Sequence, residues 1–311
     1  MTASLYFAHV TDIHITDRRE TWSTLGEEAP HLFRVCVEQL NRLEELDFVL
    51  ITGDVLDMAT PSELERFLAV LSELRKPWHF TPGNHDGFID PDRPTAYKPH
   101  EAVPLIDPRM ASPTPEAQRA YWSRSIRPGV RLIGLDSRLP DNWNGEINAA
   151  QLAWLEAELR ACHDELVIVG VHHPLHRLGP HNTRPWWSNF ICDNGAEVER
   201  VLGQHPGVKL VLAGHHHANQ IRRRGGRLHV NTAALTGYPC TYRLIRMTPR
   251  SSGWRIQIES RPVADEALRK KAYDALIHSK TAHRFNPDDP SSWAAFCEGR
   301  IEDQTFEGEL S

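Results

Sequence analysis

Residues 48–54 read FVLITGD, an apolar run that ends in Thr52, Gly53 and Asp54. A short apolar run bounded by a turn signal is typical of a β-strand that is buried on both faces. Five other runs have the same character. The predicted strands are Leu5 to Val10, Phe48 to Thr52, Trp78 to Thr81, Arg131 to Asp136, Leu166 to Val171 and Val208 to Ala213.

Helical patterns separate most of these strands, with apolar residues repeating at helical spacing. The predicted helices are Leu32 to Leu46, Leu64 to Leu74, Gln151 to Cys162 and Ala196 to Leu202. Alternation of strand and helix predicts an α/β protein with much of its sheet parallel and helices on the outside.

After Gly214 the pattern changes. Gly225-Gly226 is a two-residue turn signal between Ile221 to Arg224 and Arg227 to Val230, which predicts a β-hairpin. Tyr242 to Met247 and Trp254 to Ile258 have the character of two more strands. We therefore expect a second, partly antiparallel sheet that packs on the first.

Two segments do not follow this scheme. Seven prolines lie between Pro91 and Pro115, which predicts a long ordered loop beside the site. Asp265 to His278 has a helical pattern, and the residues after it are mostly polar. We expect one domain over residues 1–262, followed over 263–311 by a helix and a polar tail that is either partly disordered or in contact with a partner subunit.

Composition restricts the functional classes. The chain has 311 residues, enough for a full core, and its formal net charge of −6 argues against a large nucleic-acid surface. Its five cysteines are scattered without CxxC spacing, which predicts reduced thiols. No apolar run approaches the ~18 residues of a membrane span, and Met1 is not followed by a signal-peptide pattern. The sequence predicts a cytoplasmic protein that binds neither nucleic acid nor membrane.

Potential metal ligands follow five of the predicted strands. In open α/β sheets, ligands bind beyond the carboxyl ends of the strands, so these side chains are expected to converge. Imidazole and carboxylate together suit zinc, manganese, iron or nickel. The pieces are Asp12-Ile13-His14, Gly53-Asp54, Gly83-Asn84-His85-Asp86, His172-His173-Pro174 and Gly214-His215-His216-His217.

Each piece also has a simpler interpretation. An Asp after a strand is commonly a turn or N-cap residue, which is the alternative for Asp54, and Asn84 could be a turn residue beside a surface His85. The joint occurrence of all five pieces, each after a strand, favours a two-metal site.

The order of these blocks resembles that of the calcineurin-like metallophosphoesterases, whose blocks are DxH, GDxxD, GNHD or GNHE, a single His, and GHxH. Within that family the chain is similar to the class III cyclic-nucleotide phosphodiesterases. The resemblance covers residues 12 to 217, about two thirds of the chain. It implies an αββα sandwich, in which two mixed sheets are flanked by helices.

The resemblance also implies roles for individual residues and two ions of manganese, iron or zinc. It assigns His85 as the catalytic group, with Asp86 holding its imidazole, and it suggests that Asp57 orients His14. His172 rather than His173 fits the family pattern His-x-Pro. The implied ligands are Asp12, His14 and His217 for one ion, Asn84, His172 and His215 for the other, and Asp54 bridging both.

The implied reaction is hydrolysis of a small phosphodiester, such as a cyclic nucleotide, by a metal-bridging hydroxide. A phosphomonoesterase or nucleotidase could use the same centre. A scaffold without activity and a DNA nuclease are weaker alternatives, because every ligand position is filled and the chain is acidic. Residues predicted to contact substrate are Arg177, His181, Arg184, Trp186 and Trp187, although the tryptophans could instead pack a loop or an oligomer interface.

Overall fold

The structure is a computed structural model that describes residues 4–19, 23–87, 96–110, 119–139 and 142–311. The strands are β1 (Leu5–Val10), β2 (Phe48–Ile51), β3 (Trp78–Phe80), β4 (Trp122–Arg127), β5 (Val130–Leu135), β6 (Arg138–Leu139), β7 (Asn142–Gly145), β8 (Leu166–Val171), β9 (Val208–Ala213), β10 (Gln220–Arg224), β11 (Arg227–Asn231), β12 (Thr241–Arg250), β13 (Gly253–Pro262) and β14 (Thr305–Leu310). The helices are α1 (Ala29–Asn41), α2 (Pro61–Leu71), α3 (Pro99–Ile106), α4 (Ala149–Ala161), α5 (Gly195–Gly203), α6 (Glu266–Ile277), α7 (Lys280–Phe285), α8 (Ser291–Glu298) and α9 (Ile301–Gln304), with short 3-10 helices at Pro108–Met110, Pro180–Thr183 and Trp187–Phe190.

Two six-stranded mixed sheets form the centre of the molecule. The first has the order β14-β13-β12-β1-β2-β3, with β1, β2 and β3 parallel and the other strands antiparallel. The second has the order β10-β11-β9-β8-β5-β4, with β5, β8, β9 and β11 parallel and both edge strands antiparallel. The predicted sandwich of two mixed sheets is confirmed.

The apolar faces of the sheets explain this layering. Phe7, Phe48, Leu50, Ile168 and Leu212 belong to a buried cluster between the two sheets, where the Phe7 and Phe48 rings stack at 4.7 Å. A second cluster joins the first sheet to α1, α2 and the C-terminal helices, and a third joins the second sheet to α4 and α5. Each sheet thus buries both faces, as the continuous apolar runs predicted.

The segment from residue 263 onward folds back onto the first sheet. It forms α6, α7, α8 and α9, and β14 then pairs with β13 as an edge strand. Tyr238 Oη donates to Glu298 Oε2 at 2.6 Å, and Arg269 donates to the same carboxylate, so α6 and α8 are tied to the loop after β11. The predicted boundary at residue 262 and the predicted contact with a partner subunit stay predictions.

The proline-rich stretch differs from the expected loop. Residues 88–95 and 111–118 lie outside the described residues, but Pro99–Ile106 is a helix. Pro99 occupies the first turn, where a missing N–H costs little, and Glu101 accepts a hydrogen bond from the backbone of Lys98. The prediction of a continuous loop is therefore wrong for this part. Within the described ranges, no helix is long and apolar enough to cross a membrane.

Candidate active site

The five ligand-bearing pieces meet at the carboxyl ends of β1, β2, β3, β8 and β9. Two of their loops touch directly, because a Cβ at Gly83 would overlap Oδ1 of Asp54. Glycine at position 83 is what allows this approach. All seven predicted ligands lie in this region, and most of their side chains are buried.

One group of donors comes from the first and last pieces. His14 Nε2 lies 3.1 Å from His217 Nε2, and Asp12 Oδ1 lies 3.3 Å from His217 Nε2 and 3.8 Å from His14 Nε2. Two ligands that each lie about 2.0–2.1 Å from a tetrahedral ion are about 3.3–3.4 Å apart. The spacing of these three donors therefore fits a single ion.

A second group comes from the middle pieces. His172 Nε2 lies 3.1 Å from Asp54 Oδ2 and 3.2 Å from His215 Nδ1. Asp54 Oδ2 is also 3.8 Å from His14 Nε2, so this carboxylate lies between the two groups. The side-chain oxygen and nitrogen of Asn84 are buried and have no hydrogen-bond partner among the residues that the structure describes. A buried amide without partners is costly, and a metal ion would satisfy its oxygen.

Backbone carbonyls select the tautomers of the second group. His172 Nδ1 lies 2.7 Å from the carbonyl oxygen of Thr52, and His215 Nε2 lies 3.3 Å from that of Asn189. A carbonyl only accepts, so these ring nitrogens donate. In the neutral rings, Nε2 of His172 and Nδ1 of His215 then carry the lone pairs, which face each other as ligands of one ion would.

The electrostatics of the cluster favour cations. Burial alone would raise the pKa of Asp12 and Asp54, but His217 and His14 around Asp12, and His172 and His85 around Asp54, hold both pKa values well below the usual range. Burial alone would lower the pKa of His14 and His172, yet the neighbouring carboxylates raise it to about 10 and about 9. A metal ion would gain from the same negative field that here favours protons.

His173 lies beside these donors, with its ring centroid 4.1 Å from that of His215, but its ring nitrogens have other partners. His173 donates from Nε2 to the carbonyl of Trp143 at 3.0 Å and contacts Ser137 Oγ through Nδ1 at 2.7 Å, so both ring nitrogens are engaged. His216 Nε2 lies 3.0 Å from His181 Nε2. These contacts favour His172 over His173 as a ligand.

The backbone of the site is strained. Five of the seven predicted ligands have positive φ, between 46° and 61°, in the left-handed region that non-glycine residues rarely adopt. Such residues cluster at functional sites, where the surrounding structure holds them in place. The five are Asp12, His14, Asp54, His215 and His217.

His85 lies beside the ligand cluster and lines the pocket above it. Its backbone N–H donates to Asp54 Oδ1 at 2.8 Å, and its Nδ1 lies 2.7 Å from the carbonyl oxygen of Asp57. Nδ1 is therefore the donor to that carbonyl, and Nε2 is the ring nitrogen able to exchange a proton with a bound molecule. Burial lowers the pKa of His85.

Asp57 rather than Asp86 contacts the His85 ring. The Asp86 carboxylate accepts from the backbone N–H groups of Gly83, Asp54, Val55 and Leu56 at 2.8–3.1 Å. It thus joins the two ligand loops, whereas the Asp57 carbonyl holds the His85 ring. The Asp57 carboxylate lies 3.8 Å from His14 Nδ1, the position expected of a group that orients His14.

Only some of the residues predicted to contact substrate lie at the pocket. Trp186 lines the pocket, but Arg177 is exposed and lies outside the pocket lining. His181 is buried against His216, and Trp187 is buried in an aromatic cluster with Trp293. Arg184 donates to the carbonyls of Arg284 and Phe285.

The pocket over the cluster contains about 740 Å³ of empty space, part of it open solvent. Much of its lining was not predicted, because it comes from the β6–β7 hairpin and from the C-terminal helices rather than from the ligand pieces. These further residues include Trp143, Phe190, Leu276, Thr281 and Trp293.

Comparison with known proteins agrees with this geometry. A family model described as calcineurin-like phosphoesterase matches residues 5–219. The chain is 30% identical to a 3′,5′-cyclic-nucleotide phosphodiesterase from Nostoc sp., over 74% of this chain and 78% of that protein. It is 28% identical to a glycerophosphodiester phosphodiesterase from Enterobacter lignolyticus, over 68% and 71%. A solved dimetal phosphatase from Danio rerio shares the fold, with a TM-score of 0.64, 18% identity and coverage of 84% and 97%.

Proposed function

The chain belongs to the calcineurin-like phosphoesterase family, and from that premise we propose that it is a metal-dependent phosphodiesterase acting on small phosphodiesters. The observation that carries the proposal is the pair of donor groups joined by Asp54, with His85 beside them in the pocket. The donor set and the unpartnered buried amide of Asn84 fit two metal ions. One ion would be held by Asp12, His14 and His217, the other by Asn84, His172 and His215, with Asp54 shared.

Manganese, iron and zinc all suit these ligands. Two such ions supply positive charge for the phosphoryl oxygens and a strong nucleophile at neutral pH. In its imidazolium form, His85 would then transfer the Nε2 proton to the oxygen of the departing alcohol and become the neutral ring, with Nδ1–H still held by Asp57. Asp86 would keep the loops that carry Asp54 and Asn84 in register.

Charge favours a diester over the alternative monoester. A phosphomonoester carries about −1.5 to −2 charges at pH 7, and a diester carries one. Of the described residues that line the pocket, none is Lys or Arg. A singly charged substrate needs no cation beyond the two ions. The names of the relatives, cyclic-nucleotide and glycerophosphodiester phosphodiesterases, also support a diester.

The test is a comparison of two chromogenic esters on enzyme reconstituted with manganese. We expect bis-p-nitrophenyl phosphate to be hydrolysed faster than p-nitrophenyl phosphate at equal concentration. Faster release from the monoester would instead favour a phosphomonoesterase or nucleotidase. Metal content should be measured on the same samples, because the proposal requires close to two ions per chain.

We further propose that the enzyme works in the cytoplasm. All five cysteines are buried free thiols, as suits a reducing compartment. A homo-oligomer is compatible with this function, and the oligomeric state can be measured by light scattering.

A further inference from the structure

Five apolar residues line the pocket, and we call them the apolar wall. Trp143 lies on β7, Trp186 and Phe190 lie in the segment after β8, Leu276 lies in the last turn of α6, and Trp293 lies on α8. None of them belongs to the ligand pieces. The C-terminal segment, which follows residue 262, therefore contributes directly to the pocket over the metal ligands.

The wall is well packed. Trp293 stacks on Phe296 with ring centroids 5.3 Å apart and planes 10° apart, and it also contacts Trp187 at 4.9 Å. The Arg284 guanidinium lies 4.6 Å from the Trp186 ring, and Phe190 packs on the same ring at 4.9 Å. Side chains fixed in this way lose little further freedom when a ligand binds.

The wall also touches the groups proposed for the chemistry. The ring of Trp143 lies 5.1 Å from that of His85, and the ring of Phe190 lies 5.4 Å from that of His215. A group bound against the wall would thus be adjacent to the phosphorus. Apart from the proposed metal ligands and His85, the polar side chains in the lining are Ser23, Asn189, His216 and Thr281.

We propose that the apolar wall makes this enzyme selective for phosphodiesters that carry a planar apolar group, with Trp186 as the main specificity-determining residue. The inference rests on the proposed phosphodiesterase function. A planar group gains affinity from stacking on an aromatic side chain, about 5- to 160-fold per base in nucleic-acid complexes. A polyol group would lose hydrogen bonds to water without replacing them at an apolar surface.

Trp186 is the appropriate residue to change because it is only half-buried, whereas Leu276 and Trp293 are buried in the core. Two diesters with the same leaving group make the comparison, bis-p-nitrophenyl phosphate and methyl p-nitrophenyl phosphate. Both release p-nitrophenolate and differ in the group that stays on phosphorus. The wild type should show a lower KM for the bis-aryl ester.

We expect Trp186→Ala to lower kcat/KM for the bis-aryl ester by about tenfold, mainly through KM, and to lower it less for the methyl ester. The ratio of the two kcat/KM values should fall at least about fivefold. Trp186→Phe should restore most of the ratio, because it keeps an aromatic face. Trp154→Ala is the matched control, since Trp154 is a half-buried tryptophan on α4 that does not line the pocket.

The outcomes separate the two proposals. If Trp186→Ala lost activity equally on both esters, so that the ratio of the two kcat/KM values was unchanged, the proposed selectivity would be overturned. The phosphodiesterase assignment would still stand. If wild-type enzyme with two bound metal ions hydrolysed neither ester, both the proposed selectivity and the proposed phosphodiesterase function would be overturned. A lowered ratio, rescued by Trp186→Phe and absent in Trp154→Ala, would support the apolar wall as the specificity element.

Discussion

The ligand cluster and the apolar wall face the same pocket but are built in opposite ways. The cluster is polar, and each of its pieces follows a strand directly, so its geometry comes from the sheets. The wall is apolar and comes from a hairpin, a segment of irregular structure and two late helices. We infer that the chemistry depends on the cluster and the selectivity on the wall, and that mutations should separate the two.

Asp54→Ala should have the largest effect. Its carboxylate lies between the two donor groups, 3.1 Å from His172 Nε2 and 3.8 Å from His14 Nε2, so its loss should weaken both metal sites. We expect turnover to fall by at least about a thousandfold, or about 4 kcal/mol. Elemental analysis should show fewer than two ions per chain. Full metal content with full turnover would show that Asp54 does not join the groups.

Trp293→Ala should instead lower stability and leave metal binding intact. The side chain is 2% exposed and is surrounded by Trp187, Phe285 and Phe296, so its removal should leave a cavity. We expect the free energy of unfolding to fall by about 3 kcal/mol while two ions stay bound. Urea denaturation and elemental analysis on one preparation would test this. Loss of metal without loss of stability would contradict the division between cluster and wall.

His85→Ala should leave both metals and the stability largely unchanged. The group proposed to protonate the leaving oxygen would be missing, so turnover of a diester with a poor leaving group should fall by about 10²-fold. A p-nitrophenolate leaving group needs little protonation, and its hydrolysis should suffer less. Equal losses on both substrates would indicate that His85 does not act as the acid.

The smallest expected effect is on the pH dependence of stability, through Glu63 in the first turn of α2. Glu63 caps α2 and accepts from the backbone of Met58 at 2.8 Å, and burial, aided by Asp57 and Asp17, raises its pKa to about 7. The folded state then binds the proton more tightly than the unfolded state, so this group costs stability as pH rises from about 4 to about 7. The cost is fully present above pH 7.

Glu63→Gln removes that titration and can still accept the backbone hydrogen bonds. Relative to wild type, we expect the variant to gain about 1–2 kcal/mol of stability between pH 5 and pH 8. Urea denaturation at both pH values measures this difference. Glu65→Gln, at an exposed position on the same helix, is the matched control. Parallel pH profiles for wild type and Glu63→Gln would contradict the prediction.

The difference between the ligand cluster and the apolar wall also explains which parts of the site the sequence could predict. Apolar runs such as Leu166–Val171 identify strands that are buried on both faces, and residues placed directly after them must converge at the sheet edge. Asp54 and His172 could be located from that rule alone. The family resemblance added their assignment to particular ions, and this assignment stays a proposal.

Polar edge strands and tertiary contacts were outside the reach of such patterns. Trp122–Arg127 and Thr305–Leu310 pair at sheet edges with mixed polar sequences, and neither has a continuous apolar run. Trp143 and Trp293 are far apart in sequence and line the same pocket only because the C-terminal helices fold back. Pro99 indicated a loop by composition, yet its position in a first helical turn is compatible with a helix.

The left-handed backbone at Asp12, His14, Asp54, His215 and His217 has a consequence for protein design. A sequence chosen only for stability on this backbone would most often place glycine at these positions, since glycine adopts that conformation at the lowest cost. Aspartate and histidine adopt it less readily than glycine, so the side chains present depart from what the backbone alone would select. A comparison between the native residue and the residue preferred by the backbone could therefore locate this site in a single structure, without an alignment.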